Sequence, residues 1–327
     1  MTKIAINGFG RIGRLVFKIG LEKGLNVVAV NDLAPLDNLA YLLKYDSAYG
    51  PYEKKVEVDD GMLKVDGNKI KVFSESDPSK LPWKDLGIDV VVESTGIFKE
   101  HVKAELHLKA GAKRVLISAP SKDPDITVVY GVNHKDLKKE HKIISLASCT
   151  TNCLAPVAKV LDDNFGIKKG FMTTVHAYTS SQKLVDSPDK KFRRGRAAAF
   201  NIVPTTSGAT SATAKVIPKL EGKMDGLALR VPIVVGSIVD FVVQLEKEAT
   251  KEQINDAFKK ASKDYLKGVL KYSEDEIVSS DIVRNEHSSI FDSLSTQVIG
   301  DLVKVLAWYD NEYGYSCRMV DVIKSLK

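Results

Sequence analysis

Residues 3–13 read KIAINGFGRIG: a short apolar strand, KIAIN, runs directly into Gly8, Gly10 and Gly13 in the spacing G-x-G-x-x-G. A helix is predicted next over RIGRLVFKIGLEKG, where Ile12, Leu15, Val16 and Ile19 recur at helical spacing. Strand, glycine turn and helix in this order open a doubly wound sheet. Each glycine has a mechanical task there: a tight turn, close approach of backbone to a pyrophosphate, and close packing of helix on strand. Phosphates held at that turn would face the positive end of the helix. The following strand, NVVAVND, ends at Asp32, where a carboxylate can accept the ribose hydroxyls of an adenosine. A glycine-rich turn in a generic α/β domain would account for the glycines but not for the acid, so the stretch reads as a dinucleotide site.

Working outward, DVVVES, KRVLISA, TVVYG and KIISLAS are apolar runs of the kind found in strands buried on both faces. KEHVKAELHLKAGA between two of them predicts a helix ending at Gly111. After about residue 150 the pattern changes: TTNCLAPVAKVLDDNFG predicts a long helix, and extended β-rich runs follow in GFMTTVHAYT, GLALRVPIVVGSIVDFVVQLEK and LVKVLAWYDNEYG. KEQINDAFKKASKDYLKG predicts a helix between the last two, and YGYSCRMVDVIKSLK a closing amphipathic one. The expected fold is α/β: a Rossmann doubly wound parallel sheet, then an α+β domain with a mainly antiparallel sheet. The expected division is 1–148, joined by the closing helix 313–327, and 149–312.

Composition limits the function classes. The chain has 327 residues, 44% hydrophobic and 28% charged, which suits two globular domains. Forty-eight Lys and Arg against 42 Asp and Glu give a net charge of +6, spread too thinly to indicate nucleic acid or a membrane surface. Three cysteines cannot make a disulfide framework and suit a reducing compartment. No apolar run approaches the ~18 residues of a membrane span, and no signal-like segment precedes the first strand. A soluble cytoplasmic protein is expected.

Cys149, in ASCTTNC, stands between the strand KIISL and the helix that follows. A cysteine at a helix N-terminus meets the positive end of the dipole, which favours thiolate. Cys153 lies one turn on, but a zinc site would need two more soft ligands and Cys317 is distant, so no metal is expected. Of six histidines, His176 in TTVHAYT alone has hydroxyl-rich and β-branched neighbours, and it is the best partner for Cys149. Judged on residue type alone, a satisfied core histidine explains it equally well. KKFRRGRAAA gathers Lys190, Lys191, Arg193, Arg194 and Arg196, a pattern usually found on solvated loops. Arg230, inside the apolar LALRVP, needs an anionic partner.

In order and spacing, INGFGRIGR, ESTGIF, ASCTTNCLAP, TTVHAYT, RAAAFNIVP, GLALRVP and WYDNEYGYS resemble the phosphorylating glyceraldehyde-3-phosphate dehydrogenase family over essentially the whole chain. The resemblance implies Cys149 as nucleophile and His176 as acid–base partner. It implies NAD held by Gly8, Gly10, Arg11, Ile12, Gly13, Asp32, Thr95, Gly96, Ser118 and Asn311, the last at the nicotinamide carboxamide. It implies Ser148, Thr150, Thr179, Arg194, Ser207, Gly208 and Arg230 as ligands of the substrate phosphate and of inorganic phosphate. It further implies a cysteine thioester, an acyl phosphate product from glyceraldehyde 3-phosphate, and a homotetramer with residues 177–200 at a subunit interface.

Several positions depart from the family pattern. Ser207 replaces a common Thr and keeps the hydroxyl, ATSATAKV loses an early lysine, and PIVVGS follows Arg230 in place of a PTP-type run. Ser180 and Ser181 replace a pair that often carries an acid or amide. Ser187 is smaller and more polar than the apolar residue of strictly NAD-dependent members, leaving room for the 2′-phosphate of NADP, which Asp32 should repel. NAD is therefore expected as the preferred cofactor, with tolerance of NADP. The competing readings are an erythrose-4-phosphate dehydrogenase of the same family and, from another class, a catalytically inert Rossmann protein that binds nucleic acid.

Overall fold

The computed structural model describes residues 1–326; Lys327, at the end of the expected closing helix, lies outside them. KIAIN forms β1 (Lys3–Asn7), buried from Ile4 to Asn7. In chain order follow α1 (Arg11–Glu22), β2 (Asn26–Asn31), α2 (Leu36–Lys44), β3 (Val56–Asp59), β4 (Met62–Val65), β5 (Asn68–Phe73) and α3 (Trp83–Leu86). Then come β6 (Val90–Glu93), α4 (His101–Lys109), β7 (Arg114–Ile117), β8 (Ile126–Thr127) and β9 (Ile143–Ser145). The sheet order is β3-β4-β5-β2-β1-β6-β7-β9-β8. Every pair from β5 to β8 is parallel, and only β3–β4 and β4–β5 are antiparallel. Taken in chain order, β5-β2-β1-β6-β7-β9 is the 3-2-1-4-5-6 winding. Its direction reverses between β1 and β6, where crossovers diverge and a crevice opens beyond the carboxyl ends of the strands.

Two features differ from the sequence expectation. The β3–β4 hairpin was not foreseen, although Asp60-Gly61 at its tip carries the signal: both residues have positive φ, 48° and 69°, as a two-residue hairpin turn requires. TVVYG yields only the end of the short β8, because the Val129 amide donates to Asn133 Oδ1 at 2.8 Å and the chain leaves the sheet.

The second set of elements is α5 (Cys149–Phe165), β10 (Ile167–Ala177), β11 (Val203–Thr206), α6 (Ala209–Val216), β12 (Met224–Val231), β13 (Ser237–Leu245), α7 (Lys251–Lys263), β14 (Leu270–Ser273), β15 (Ser289–Ile299) and β16 (Leu302–Tyr309). The chain closes on α8 (Tyr313–Ser325). The sheet order is β11-β12-β10-β13-β16-β15-β14, antiparallel except for β12–β10 and β14–β15. β13 alternates strictly between buried and half-buried residues, the period of a strand covered on one face. Helices α5 and α7 supply the cover, with Leu154, Val157, Phe241, Phe258 and Phe291 in one core and the last two rings stacked 3.8 Å apart. α7 begins at a capping box in which Thr250 and Gln253 each satisfy the other's backbone amide. The chain divides into two compact units: residues 1–128, 135–147 and from 316 on, and residues 129–134 with 148–315.

Candidate active site

In the first unit a cleft of about 440 Å³, lined by Gly8, Gly10, Asp32, Leu33, Thr95 and Phe98 among others, opens where β1 and β6 diverge. Gly8 has φ +91°, and a Cβ there would stand 2.6 Å from the Thr95 amide nitrogen, so the position excludes any side chain. A Cβ on Gly13 would collide with the Gly8 carbonyl, which is how α1 packs so closely on the turn. A Cβ on Gly10 would meet nothing within 4 Å and would fill part of the cleft instead. Gly10 caps α1 with no side-chain acceptor, and no acid stands in the first turn, so the helix start suits an anion. Asp32 is held by the amides of Phe9 (2.7 Å, to Oδ2) and Ala34 (2.9 Å, to Oδ1). These features fit a dinucleotide: a glycine cradle for the pyrophosphate and a fixed carboxylate for ribose.

Of the other predicted residues of this unit, Arg11, Ile12, Gly13, Gly96 and Ser118 are not among those lining the cleft. Arg11 and Ile12 open α1, and Arg11 is tied to Asp46 at 2.7 Å. The ion pair and the amides of Ala48 and Tyr49 hold the Asp46 carboxyl below its ordinary value despite burial. Gly96 follows Thr95. Ser118 follows β7, its amide donating to the Glu93 carbonyl at 2.9 Å, and is not among the lining residues.

In the second unit, strand register assembles the other constellation. His176 on β10 stands opposite Arg230 of β12 on one side and Ser237 of β13 on the other. Cys149 is the first residue of α5, whose cap is Ser148: Ser148 Oγ accepts from the Thr151 amide at 3.1 Å. Immediately before it, Ala147 adopts φ +52°, a left-handed conformation that alanine tolerates only under tertiary constraint. Cys149 Sγ lies 3.4 Å from His176 Nε2. The Nδ1 of His176 lies 2.7 Å from the Ala177 carbonyl, which only accepts, and 3.0 Å from Arg230 NH1, which only donates; the two compete for Nδ1, and the shorter contact favours the tautomer with the proton on Nδ1 and a lone pair on Nε2 facing sulfur. Arg230 donates to the same carbonyl at 3.0 Å.

Neither Arg230 nor Arg194 has a carboxylate partner among the described residues, and the buried Nε of Arg230 has no acceptor. Arg194 gives its Nε to Thr205 Oγ1 at 2.9 Å. Both guanidinium charges act on His176. Two uncompensated guanidinium groups beside a thiol and an imidazole suit an anionic substrate. Thr179 pairs with Ser181 (2.9 Å), and Ser207 and Gly208 lead into α6, with Ser207 Oγ accepting from the Ala209 amide at 3.2 Å. Thr150 is buried with its hydroxyl 2.9 Å from that of Tyr309. Asn311 accepts through Oδ1 from the Gly236 amide (3.1 Å) and the Ser237 hydroxyl (3.0 Å), which leaves its Nδ2 as a donor without a partner among the described residues.

Burial corrects the expectation of a lowered thiol. It pushes the Cys149 thiol above its ordinary value, against the opposing pull of Arg230 and Thr150. Burial first, then Arg230, push the His176 imidazole down to about 3. Both shifts favour the neutral thiol and the neutral imidazole.

Residues 2–101 match the family domain described as glyceraldehyde 3-phosphate dehydrogenase, NAD binding domain, and residues 148–311 match the C-terminal domain of that dehydrogenase. Similar proteins include glyceraldehyde-3-phosphate dehydrogenases of Thermotoga maritima, 56% identical over 100% of this chain and 99% of the relative, and of Borreliella burgdorferi, 54% identical over 99% of each. A third, from Mycobacterium avium, is 55% identical over 98% of this chain and 97% of its own.

The chain belongs to the glyceraldehyde-3-phosphate dehydrogenase family.

Membership makes the protein an NAD-dependent oxidoreductase acting on an aldehyde group. The NAD-binding match covers the glycine loop, Asp32 and Thr95, and the C-terminal match starts at Ser148, one residue before the thiol. Three residues that contact the predicted side chains are not singled out by the sequence. Tyr309, 1% exposed, bridges Thr150 and Thr174 through its hydroxyl (2.9 and 2.8 Å) and sets its ring edge-on to His176 at 5.9 Å. Ser237 links the Ala177 amide (3.2 Å) to Asn311. Asp46 holds Arg11. Tyr309 was visible within WYDNEYG, but nothing local shows what a strand-end tyrosine faces; Ser237 and Asp46 carry no local signal.

Proposed function

We propose that this chain oxidises D-glyceraldehyde 3-phosphate with NAD and inorganic phosphate to 1,3-bisphosphoglycerate through a thioester on Cys149. The observation that carries the reading is the 3.4 Å approach of Sγ to the unprotonated Nε2 of His176, beside two guanidinium groups that lack carboxylate partners. The substrate phosphate would engage Arg230 and Arg194, with Thr179 and Ser207 supplying hydroxyls and Ser148, Thr150 and Gly208 backbone around them. A dianion there offsets the positive field that depresses His176 and makes it a competent base.

Sulfur then attacks the aldehyde carbon as the thiol proton passes to Nε2, forming the C–S bond of a hemithioacetal. The amide at the start of α5 faces the developing oxyanion. NAD, when bound by Gly8, Gly10, Arg11, Ile12, Gly13, Asp32, Thr95, Gly96, Ser118 and Asn311, supplies the hydride acceptor. As that oxyanion collapses the carbon gives up hydride to this acceptor, leaving a thioester with the thiol proton still on His176, which can return it to sulfur when the C–S bond breaks. A phosphate oxygen adds to its carbonyl, the C–S bond breaks, and Cys149 is restored.

In this reading 1–148 with the closing segment 313–327 bind the cofactor, and 149–312 perform the chemistry. No described helix is long and apolar enough to cross a membrane, and a cytoplasmic setting fits three free cysteines. A homotetramer is part of the proposal: Leu184, Val185, Phe192 and Phe200 expose 67–88% of their surface within or beside the basic loop, more than a lone chain usually leaves to water. Light scattering on the eluting protein tests that assembly. The function is tested by NAD reduction with glyceraldehyde 3-phosphate, with and without phosphate or arsenate, and with erythrose 4-phosphate in its place. Phosphate-independent turnover, or faster turnover of the longer sugar, refutes it.

A further inference from the structure

Beneath the cleft of the first unit runs a line of buried polar side chains that the reaction does not use. Asn31, Asn7 and Glu93 end β2, β1 and β6, and Asn7 stands in register with both others. All three are at most 4% exposed. Asn31 Nδ2 donates to Asn7 Oδ1 at 2.7 Å, and Asn7 Nδ2 donates to Glu93 Oε2 at 2.6 Å. The line continues into α4 and α3: His107 Nε2 lies 3.0 Å from Glu93 Oε2, and Trp83 Nε1 lies 3.0 Å from His107 Nδ1. An indole N–H only donates, so His107 Nδ1 bears the lone pair and Nε2–H is given to Glu93.

Each end of the line holds one wall of the cleft. Asn31 exchanges hydrogen bonds with the Glu75 amide and carbonyl, both at 2.9 Å. Glu93 Oε1 accepts from the Thr95 amide (2.8 Å) and the Thr95 hydroxyl, and Thr95 Oγ1 accepts from the Ile97 amide at 3.0 Å. Glu75, Thr95 and Ile97 line the cleft, whereas His107 and Trp83 do not. With four donors on its two oxygens, Glu93 has no acceptor site left for a ligand. An apolar floor would pack these strand ends without the cost of burying a carboxylate, so stability alone does not account for the row.

We propose that Asn31, Asn7, Glu93, His107 and Trp83 are positioning residues that hold the Glu75 and Thr95–Ile97 walls in place before the dinucleotide binds. Binding then orders little backbone, and His107 and Trp83 raise affinity for the adenosine half without touching it. The proposal rests on the NAD reading of this cleft.

Isothermal titration of the full chain with AMP and with NAD tests it. His107→Leu should weaken both ligands about tenfold, the effect of one buried hydrogen bond to a charged group. His107→Gln, which can still donate to Glu93, should recover to within about threefold of the natural chain, and Trp83→Phe should lose about threefold. Val115→Ala opens a cavity among Ala104, Ile117 and Ile143 beside α4 but removes no hydrogen bond of the row, and serves as a destabilised control whose AMP affinity should not change. Natural AMP affinity in either folded His107→Leu or Trp83→Phe overturns the proposal, as does equal weakening in Val115→Ala. Should His107→Leu not fold, Trp83→Phe and His107→Gln decide alone. A natural chain that binds neither AMP nor NAD would instead sink the cofactor reading itself.

Discussion

Arg230 NH1 lies 3.0 Å from His176 Nδ1 and donates to the Ala177 carbonyl, so Arg230→Gln removes the charge while keeping a donor for that carbonyl. Unit charges about 4 Å apart interact by about 1 kcal/mol in water and about 4 kcal/mol at an effective dielectric constant near 20. At about 1.4 kcal/mol per pH unit, the His176 midpoint should rise by roughly one to three pH units in the variant. It starts from about 3, where burial and then Arg230 have pushed it, and continuing burial should keep it below the ordinary 6.5. The Cys149 thiol should rise too, because Arg230 pulls it down in the natural chain. Imidazole resonances followed by NMR between pH 3 and 8 report the first shift, and the pH dependence of iodoacetamide alkylation reports the second. A His176 midpoint unmoved by half a pH unit, or a thiol that becomes more acidic, refutes the electrostatic account. The same charge has a stability consequence. Between about 3 and 6.5 the unfolded chain binds a proton at this histidine that the folded chain refuses, so stability rises with pH across that window and is lost as pH falls through it. Arg230→Gln raises the lower edge of the window and should soften that acid loss.

Cys149→Ser should abolish aldehyde oxidation while NAD affinity measured by titration stays at the natural value; appreciable turnover would remove the covalent route. Natural enzyme should favour NAD over NADP in kcat/KM, and Asp32→Ala should narrow the ratio about tenfold by removing a repelling carboxylate; equal or higher efficiency with NADP in the natural chain contradicts this. Tyr309→Phe leaves two buried threonine hydroxyls without their shared partner, a loss of about 1–3 kcal/mol, and the thermal midpoint should drop by several degrees. An unchanged midpoint would show that both hydroxyls find other acceptors.

The first unit was legible because its signals are local. KIAIN, the three glycines and the periodicity of α1 lie within twenty residues, and Asp32 follows one strand later. The β3–β4 hairpin is equally local, and Asp60-Gly61, both at positive φ, is its sequence signal. The row at the strand ends was half visible: KIAIN, NVVAVN and VVVE each close an apolar strand on a polar residue. Nothing in any one strand tells that Asn7, Asn31 and Glu93 stand side by side, because parallel partners come from distant parts of the chain and register is set by the whole sheet.

Sequence alone determined the family, the glycine cradle, and the position of Cys149 at the start of a helix, since each depends on contiguous residues or on the order of motifs. Tertiary structure decided what those groups are. It chose His176 as the partner of Cys149 over a core role, by placing β10 so that Nε2 meets Sγ. It put Arg230 opposite His176 through the β10–β12 register and left its charge without a carboxylate. It also reversed the expected direction for the thiol, because the cost of charging sulfur depends on how much water surrounds it. Burial and cross-strand proximity are properties of the packed chain, and no window of residues carries them.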